Sequence, residues 1–440
     1  MKDLLQLALK QASDAELYMR KVQDMNATFT HGVVKDIDGS STTNIALRAN
    51  INGRVGSAVS TSLEDKSIVD RAVTSSLYKK EETLTFSNHD HGEVDCFDQK
   101  VVDLTAGQLK EEGQRIIDLV GKLSSGSIVP VVMIEKQVKE VAIVNSAGLD
   151  ARYTKTEYSV SVITQSPKGF MEVVDGKVGS HYQQFTEAEL EDLVNKHNMS
   201  QNRVSLTTGH YPVVFSGRAM GSLMTRLLAG VNAGNLLKKV SPLEGKMDEL
   251  ITSSLLTVYD DGTYAGGKDS CPFDDEGVPT QKTTILDKGV LKSYLATTGH
   301  GEKLDMTPTG NGFKKTMFSQ DIEDQPAVCA SNFIVAGSTG TDEELLAGID
   351  KGLYIDGVMG THTGNINGGE YSLNISRAYL IEDGKLTSKV VNTMVAGNIY
   401  DDFKKIVGIG QTLQPMQVVF YPMGYSPAVR FETLSIVGAE

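Results

Sequence analysis

The sequence predicts an α+β protein: an N-terminal α/β-mixed region with antiparallel strands and flanking helices, followed by a glycine-rich, mostly β C-terminal domain. Three observations lead there. Residues 15–60 alternate apolar and polar positions (ELYMRKVQ, TNIALRANI, GRVGSAVS) between turns at Gly32, Gly39 and Gly53. Residues 103–198 read as helix, strands, helix, a grouping that disfavours a doubly wound parallel sheet. From about residue 205 turn signals crowd the chain, among them Asp260-Asp-Gly262, Asp287-Lys-Gly289, Asn367-Gly-Gly369 and Glu382-Asp-Gly384. The 440 residues suffice for two or three cores, and shifts in composition place the divisions at 1–100, 101–204 and 205–440.

In chain order, residues 3–12 have helical spacing. After the hairpins of 15–60 a helix spans roughly 62–79, with Ser62 as N-cap and Ile68, Val69, Ala72 and Val73 as its buried stripe. Lys79–Gln99 is polar and reads as a surface connection. Asp103-Leu-Thr caps a helix to about Leu123, with Leu109, Ile116, Ile117 and Val120 inward. Four strand segments follow, VPVVMIEKQ, KEVAIVNS, YTKTEYSVSVITQS and FMEVVDGKVGSHY, with a turn at Gly148, and then a helix Thr186–Asn198 capped by Thr186. Tyr211–Asn235 reads as a strand (Tyr211–Phe215), a turn at Gly217 and a helix with one buried face of Leu223, Met224, Leu227 and Leu228. Further helices are expected over Thr341–Lys351 and Ile399–Ile406.

The formal charge of −14 and the lack of a Lys/Arg run argue against nucleic acid as a direct ligand. Three widely spaced cysteines, Cys96, Cys271 and Cys329, fit reduced thiols in a cytoplasmic protein. The early acidic residues are unlike a signal peptide, and no window has the roughly 20 apolar residues of a membrane span.

Hydrolytic chemistry needs an activated nucleophile or a metal-polarised water. GxSxG is absent, and none of the eight histidines pairs as HExxH or HExxxH. His300 and His362 fall in loops and could converge with Asp274, Asp275 or Glu276 on a metal; the plainer reading makes the three carboxylates a solvated turn. His89 and His91 would share a face on a strand, but read as a solvated loop.

Five blocks carry a resemblance: SPLEGKMDELITSSLLTVYDDG (241–262), DDEGVPTQKTTILDKGVLKSYL (274–295), TGNG (309–312), YIDGVMGTHTGNINGGEYSLNISRAYLIEDGKL (354–386) and VAGNIYDDF (395–403). In this order they resemble the TldD/PmbA family, also called the modulator of DNA gyrase family, and residues 15–80 are similar to its N-terminal domain. The TldD branch of that family holds a catalytic zinc through HExxxH on a helix, plus a cysteine near the C-terminus. Placed by its flanking glycine and leucines, the motif falls on Thr225–Gly230, with the histidine positions at Thr225 and Gly230 and the glutamate position at Arg226. The last thiol, Cys329, lies far upstream of the matching region at about 408–427. The chain therefore resembles the other branch, PmbA or TldE. The resemblance implies a metal-free subunit with no cofactor of its own, and zinc carried by a TldD-like paralogue in a heterodimer. A homodimer is allowed for the isolated chain. It also implies an unfolded peptide as substrate, with Thr363, Gly364, Asn365, Ile366 and Asn367 as a wall of the peptide cleft. Two alternatives stay open: a self-sufficient hydrolase with a non-standard metal site at His300 and His362, and a homodimeric peptide-binding or regulatory protein.

Overall fold

The alternation of residues 15–60 becomes three antiparallel strands, β1 (Asp14–Thr30), β2 (Val33–Ile51) and β3 (Arg54–Ser60), preceded by helix α1 (Lys2–Ala8). The structure is a computed structural model that describes all residues except 82–84, 167, 168, 170, 316–320, 324, 419, 420, 439 and 440. Three more strands, β4 (Val131–Asn145), β5 (Asp150–Gln165) and β6 (Met171–Gly179), complete a six-stranded antiparallel sheet in the order β3-β2-β1-β4-β5-β6. The regions drawn at 1–100 and 101–204 thus contribute three strands each to one sheet, joined where β1 pairs with β4 from Glu16↔Asn145 to Phe29↔Val132.

The segments VPVVMIEKQ and KEVAIVNS are not two strands. They form β4 without a break. The polar run Glu135-Lys-Gln-Val-Lys139 imitates a turn because alternate residues (135, 137, 139) point from the middle of the strand into a polar cleft.

Helices α2 (Ser67–Ser76), α3 (Gln99–Asp103), α4 (Ala106–Leu123) and α5 (Glu187–Ser200) flank this sheet. Leu109, Ile116 and Val120 of α4 and Leu190, Leu193 and Val194 of α5 share a core with Phe29, Val132, Tyr158 and Val160. Helix α2 begins later than expected. Ser62 is not its cap, since Asp65 accepts the Ser67 N–H at 3.1 Å and residues 62–66 make a turn. Thr186 does cap α5 in a reciprocal box, its hydroxyl accepting from the Glu189 N–H and Glu189 accepting from the Thr186 N–H at 2.8 Å. Thr186→Ala is expected to lower stability by about 1 kcal/mol in urea unfolding; an unchanged midpoint would refute the contribution of the cap.

After β7 (Arg203–Val204) and β8 (Gly209–Phe215) comes helix α6 (Gly217–Val231), which lies between two sheets. One runs Lys351–Met359, β8, Val429–Val437, Met394–Asn398, Glu370–Glu382, Lys385–Val390, β7, with Ile406–Ile409 added against Val429–Val437. Its long strand Glu370–Glu382 also pairs with Lys351–Met359, so the sheet curls back on itself. The other contains Val290–Leu291, Lys282–Asp287, Thr257–Asp261, Phe333–Ala336, Tyr421–Ser426 and Gln414–Val418. One large core joins them, with Phe215, Met220, Leu223, Met224, Phe333 and Phe431 buried in it.

Residues 341–351 are not helical. The local capping bonds form, Thr341 N–H to Glu344 at 2.8 Å, but Gly348 adopts φ +72 and breaks the turns before a strand starts at Lys351. Ile399–Asp402 is a short α-helix continued by a 3₁₀ turn, Phe403–Lys405; Ile406 then opens a strand that runs through Gly408.

Candidate functional site

Helix α6 is capped by Ser216, whose hydroxyl accepts the Ala219 N–H at 3.2 Å. Its first residue must be small: a Cβ on Gly217 would fall 1.9 Å from the Ser426 carbonyl oxygen. The helix does not bury one face alone. Every residue from Gly217 to Val231 except Leu228 and Ala229 is buried, because strands pack on it from both sides.

Arg218, Ser222, Arg226 and Gly230 recur every four residues and form one stripe. Arg218 donates to the Val174 carbonyl at 2.8 Å and pairs with Asp175. Ser222 shares a hydrogen bond with Thr361 at 3.1 Å. Arg226 is 0% exposed and donates to three backbone carbonyls, Glu370 at 2.6 Å, Ser222 at 2.6 Å and Thr363 at 3.0 Å. Burial lowers its pKa from the usual guanidinium value, with no carboxylate paired to it among the described residues. Thr225 donates to the Ser222 carbonyl at 2.9 Å. At Gly230 a Cβ would lie 2.2 Å from the Tyr400 hydroxyl oxygen. A hydroxyl turned to its own helix, a donor-only guanidinium and a position closed by Tyr400 do not fit a zinc ion.

Thr363, Gly364, Asn365 and Asn367 are exposed and Ile366 is half-buried. This turn is tied to the helix region by the Arg226–Thr363 bond and by Asn235 donating to Asn367 at 3.2 Å. It continues directly from Met359–His362, which line a cleft of about 1360 Å³.

The structure does not bring His300 and His362 to that cleft together. His362 lines it, whereas His300 sits on the short helix Thr298–Leu304, its Nδ1 2.7 Å from the Thr297 hydroxyl and its pKa lowered by burial. Among the described residues no three His, Cys, Asp or Glu side chains group as metal ligands.

Asp274, Asp275 and Glu276 are not a solvated turn. Asp274 and Asp275 are buried, and each carboxylate holds backbone. Asp274 accepts from the N–H groups of Glu276, Val278 and Gly312, Asp275 from Tyr18 Oη and Lys314 N–H, and Glu276 from Thr298 N–H. Nor is His91 solvated: its ring packs 4.5 Å from that of Phe273 and its Nε2 lies 3.0 Å from the Gly277 carbonyl, while His89 is exposed. Cys96 and Cys271 are buried and Cys329 is half-buried; all three are free, and burial pushes Cys271 up to about 12.

The cleft itself went unread in the sequence. One wall is the N-terminal sheet, with Arg20 of β1, Glu135 and Lys139 of β4, and Lys155 and Glu157 of β5. The other brings Arg218 of α6 together with Lys268, Asp269, Lys315, Asp356 and Arg377. Burial would raise Asp269, but Lys315, Lys268, Lys155 and Lys139 together hold it well below the usual carboxylate range. Glu172, also buried, pairs with Arg203 and Lys389, each at 2.5 Å. The legible signal was the alternation of Glu135, Gln137 and Lys139, and of Lys155 and Glu157, within strands whose intervening residues turn the other way.

The PmbA/TldA metallopeptidase C-terminal domain matches residues 208–438, and domain 1 of the same family matches residues 15–76. An uncharacterised protein of Methanocaldococcus jannaschii is 25% identical, with 98% of each chain covered. The metalloprotease TldD homolog of Haemophilus influenzae is 29% identical over 61% of this chain and 55% of its own length. The crystal structure of TldE from Thermococcus kodakarensis matches over 100% of both chains with TM-score 0.90 at 21% identity, a likeness of fold. Among the described residues no helix is long and apolar enough to cross a membrane. With more than half its length matched by the C-terminal domain alone, the chain belongs to the TldD/PmbA family of metallopeptidases.

Proposed function

We propose that this chain is the non-catalytic, metal-free subunit of a cytoplasmic TldD/TldE-type metallopeptidase that acts on unfolded peptides. The observation that carries the reading is Arg226, wholly buried and bonded to three backbone carbonyls where the resemblance places the glutamate general base. That guanidinium cannot accept a proton from water, and the flanking Thr225 and Gly230 offer no imidazole. What remains is a large cleft beside a closed-off helix, suited to holding a chain whose cleavage occurs at a zinc in the paralogous subunit.

Co-expression with an HExxxH-bearing paralogue tests this. The expected result is a heterodimer that cleaves an unfolded peptide and stops on adding EDTA, while this chain alone carries no stoichiometric zinc and cleaves nothing. Zinc bound at one per chain in the isolated protein, with peptidase activity lost on His362→Ala or His300→Ala, would overturn it.

A further inference from the structure

The protein carries a net charge of −14, yet the cleft is lined by eleven Lys and Arg side chains against seven carboxylates. An excess of cations in a concave site of an acidic protein concentrates positive potential there. One of those cations keeps its donors to spare. Arg218 is 6% exposed and already engaged by the Val174 carbonyl and Asp175. Lys139, half-buried in the middle of β4, makes no ion pair or hydrogen bond through its side chain among the described residues. Enclosure by the cleft walls and the neighbouring Lys155 lower its pKa to about 8, against the opposing pull of Glu157 and Asp269.

We propose that this cleft binds peptide segments rich in Asp and Glu, so that the subunit selects acidic stretches of an unfolded chain. The inference rests on the subunit reading and adds a substrate class to it. Carboxylate side chains would pair with the Lys139 ammonium, unpartnered among the described residues. The lining also holds Met133, Ile163, Met171, Phe313, Val358 and Ile375, which suits apolar side chains between the charged ones. A nucleic acid fits less well, since its unbroken line of phosphates would meet Glu135, Glu157 and Asp269 interleaved with the lysines.

Fluorescence anisotropy with labelled peptides of one length tests the proposal on the full chain, alone and with its paralogue. One peptide alternates Glu with Ala and Val; the second replaces every Glu by Gln. At low salt the Glu peptide is expected to bind about tenfold tighter or better, with the advantage fading as salt screens it. Lys139→Gln should weaken the Glu peptide about fivefold, the yield of one half-exposed ion pair. Lys139→Glu should erase the preference, with an unchanged melting curve showing that the fold is intact. Equal binding of the two peptides, or indifference to Lys139→Glu, would overturn the proposal. So would an oligonucleotide that displaces the Glu peptide more effectively than unlabelled Glu peptide does. Size-exclusion of the mixed subunits separates the two claims: a heterodimer without acidic preference sinks only this inference, and acidic preference without a heterodimer sinks only the subunit reading.

Discussion

Arg226→Ala is expected to destabilise the protein by roughly 2–4 kcal/mol. Three effects compete. Truncation leaves a void in the helix–sheet packing, and it strips the guanidinium donors from the Thr363 and Glu370 carbonyls. Ser222 is less affected, because its carbonyl also accepts from Thr225 at 2.9 Å. In the opposite direction, removing a buried cation that has no paired carboxylate among the described residues recovers part of its desolvation penalty. The void and the two carbonyls that lose their donor outweigh that relief, each of these part-buried bonds contributing about 1 kcal/mol. Arg226→Met separates the terms. It refills most of the volume without supplying donors, and is expected to recover about half the loss. Urea midpoints at constant slope give the energies, and amide exchange should quicken over 363–370, the turn that the arginine tethers. A midpoint for Arg226→Ala within about 0.5 kcal/mol of wild type would show that the tether contributes nothing.

How much of this was legible follows from the range of the forces involved. The N-terminal strands, the capping boxes of α4 and α5 and the strand–helix unit at 209–231 are written in local alternation and capping, and the structure has them. That Thr225, Arg226 and Gly230 supply no imidazole is a fact of the sequence in any fold. What Arg226 does instead could not be read there, since its acceptors Thr363 and Glu370 lie 137 and 144 residues away. The Asp274–Glu276 run misled for the same reason: its partners at Gly312, Lys314 and Thr298 come from segments distant in the chain, and so turn a surface-like triplet into a buried backbone clamp. The cleft is the extreme case. It exists only because two sheets from opposite ends of the chain face each other, so no single stretch announces it.

Whether the helix could be given a metal is decided by Tyr400. Gly230→Ala is expected to destabilise by about 1–2 kcal/mol, although alanine is intrinsically the better helix former. The new methyl would sit 2.2 Å from the Tyr400 oxygen and 3.1 Å from Leu243 Cδ1, too close for both to stay. The Tyr400 hydroxyl is itself buried without a hydrogen-bond partner among the described residues. Tyr400→Phe alone should therefore be neutral or stabilise by up to about 1 kcal/mol. In combination the phenylalanine should rescue the alanine, giving a coupling of roughly 1–2 kcal/mol in a double-mutant cycle. A histidine at 230 needs far more room than a methyl, and a glutamate at 226 would face the Thr363 and Glu370 carbonyls with no donor between. The triple replacement Thr225→His, Arg226→Glu and Gly230→His is thus expected to melt well below wild type and to retain no zinc after dialysis. One tightly held zinc per chain at a wild-type melting temperature would mean that Tyr400 gives way easily, and that the position is vacant by sequence alone rather than closed by packing.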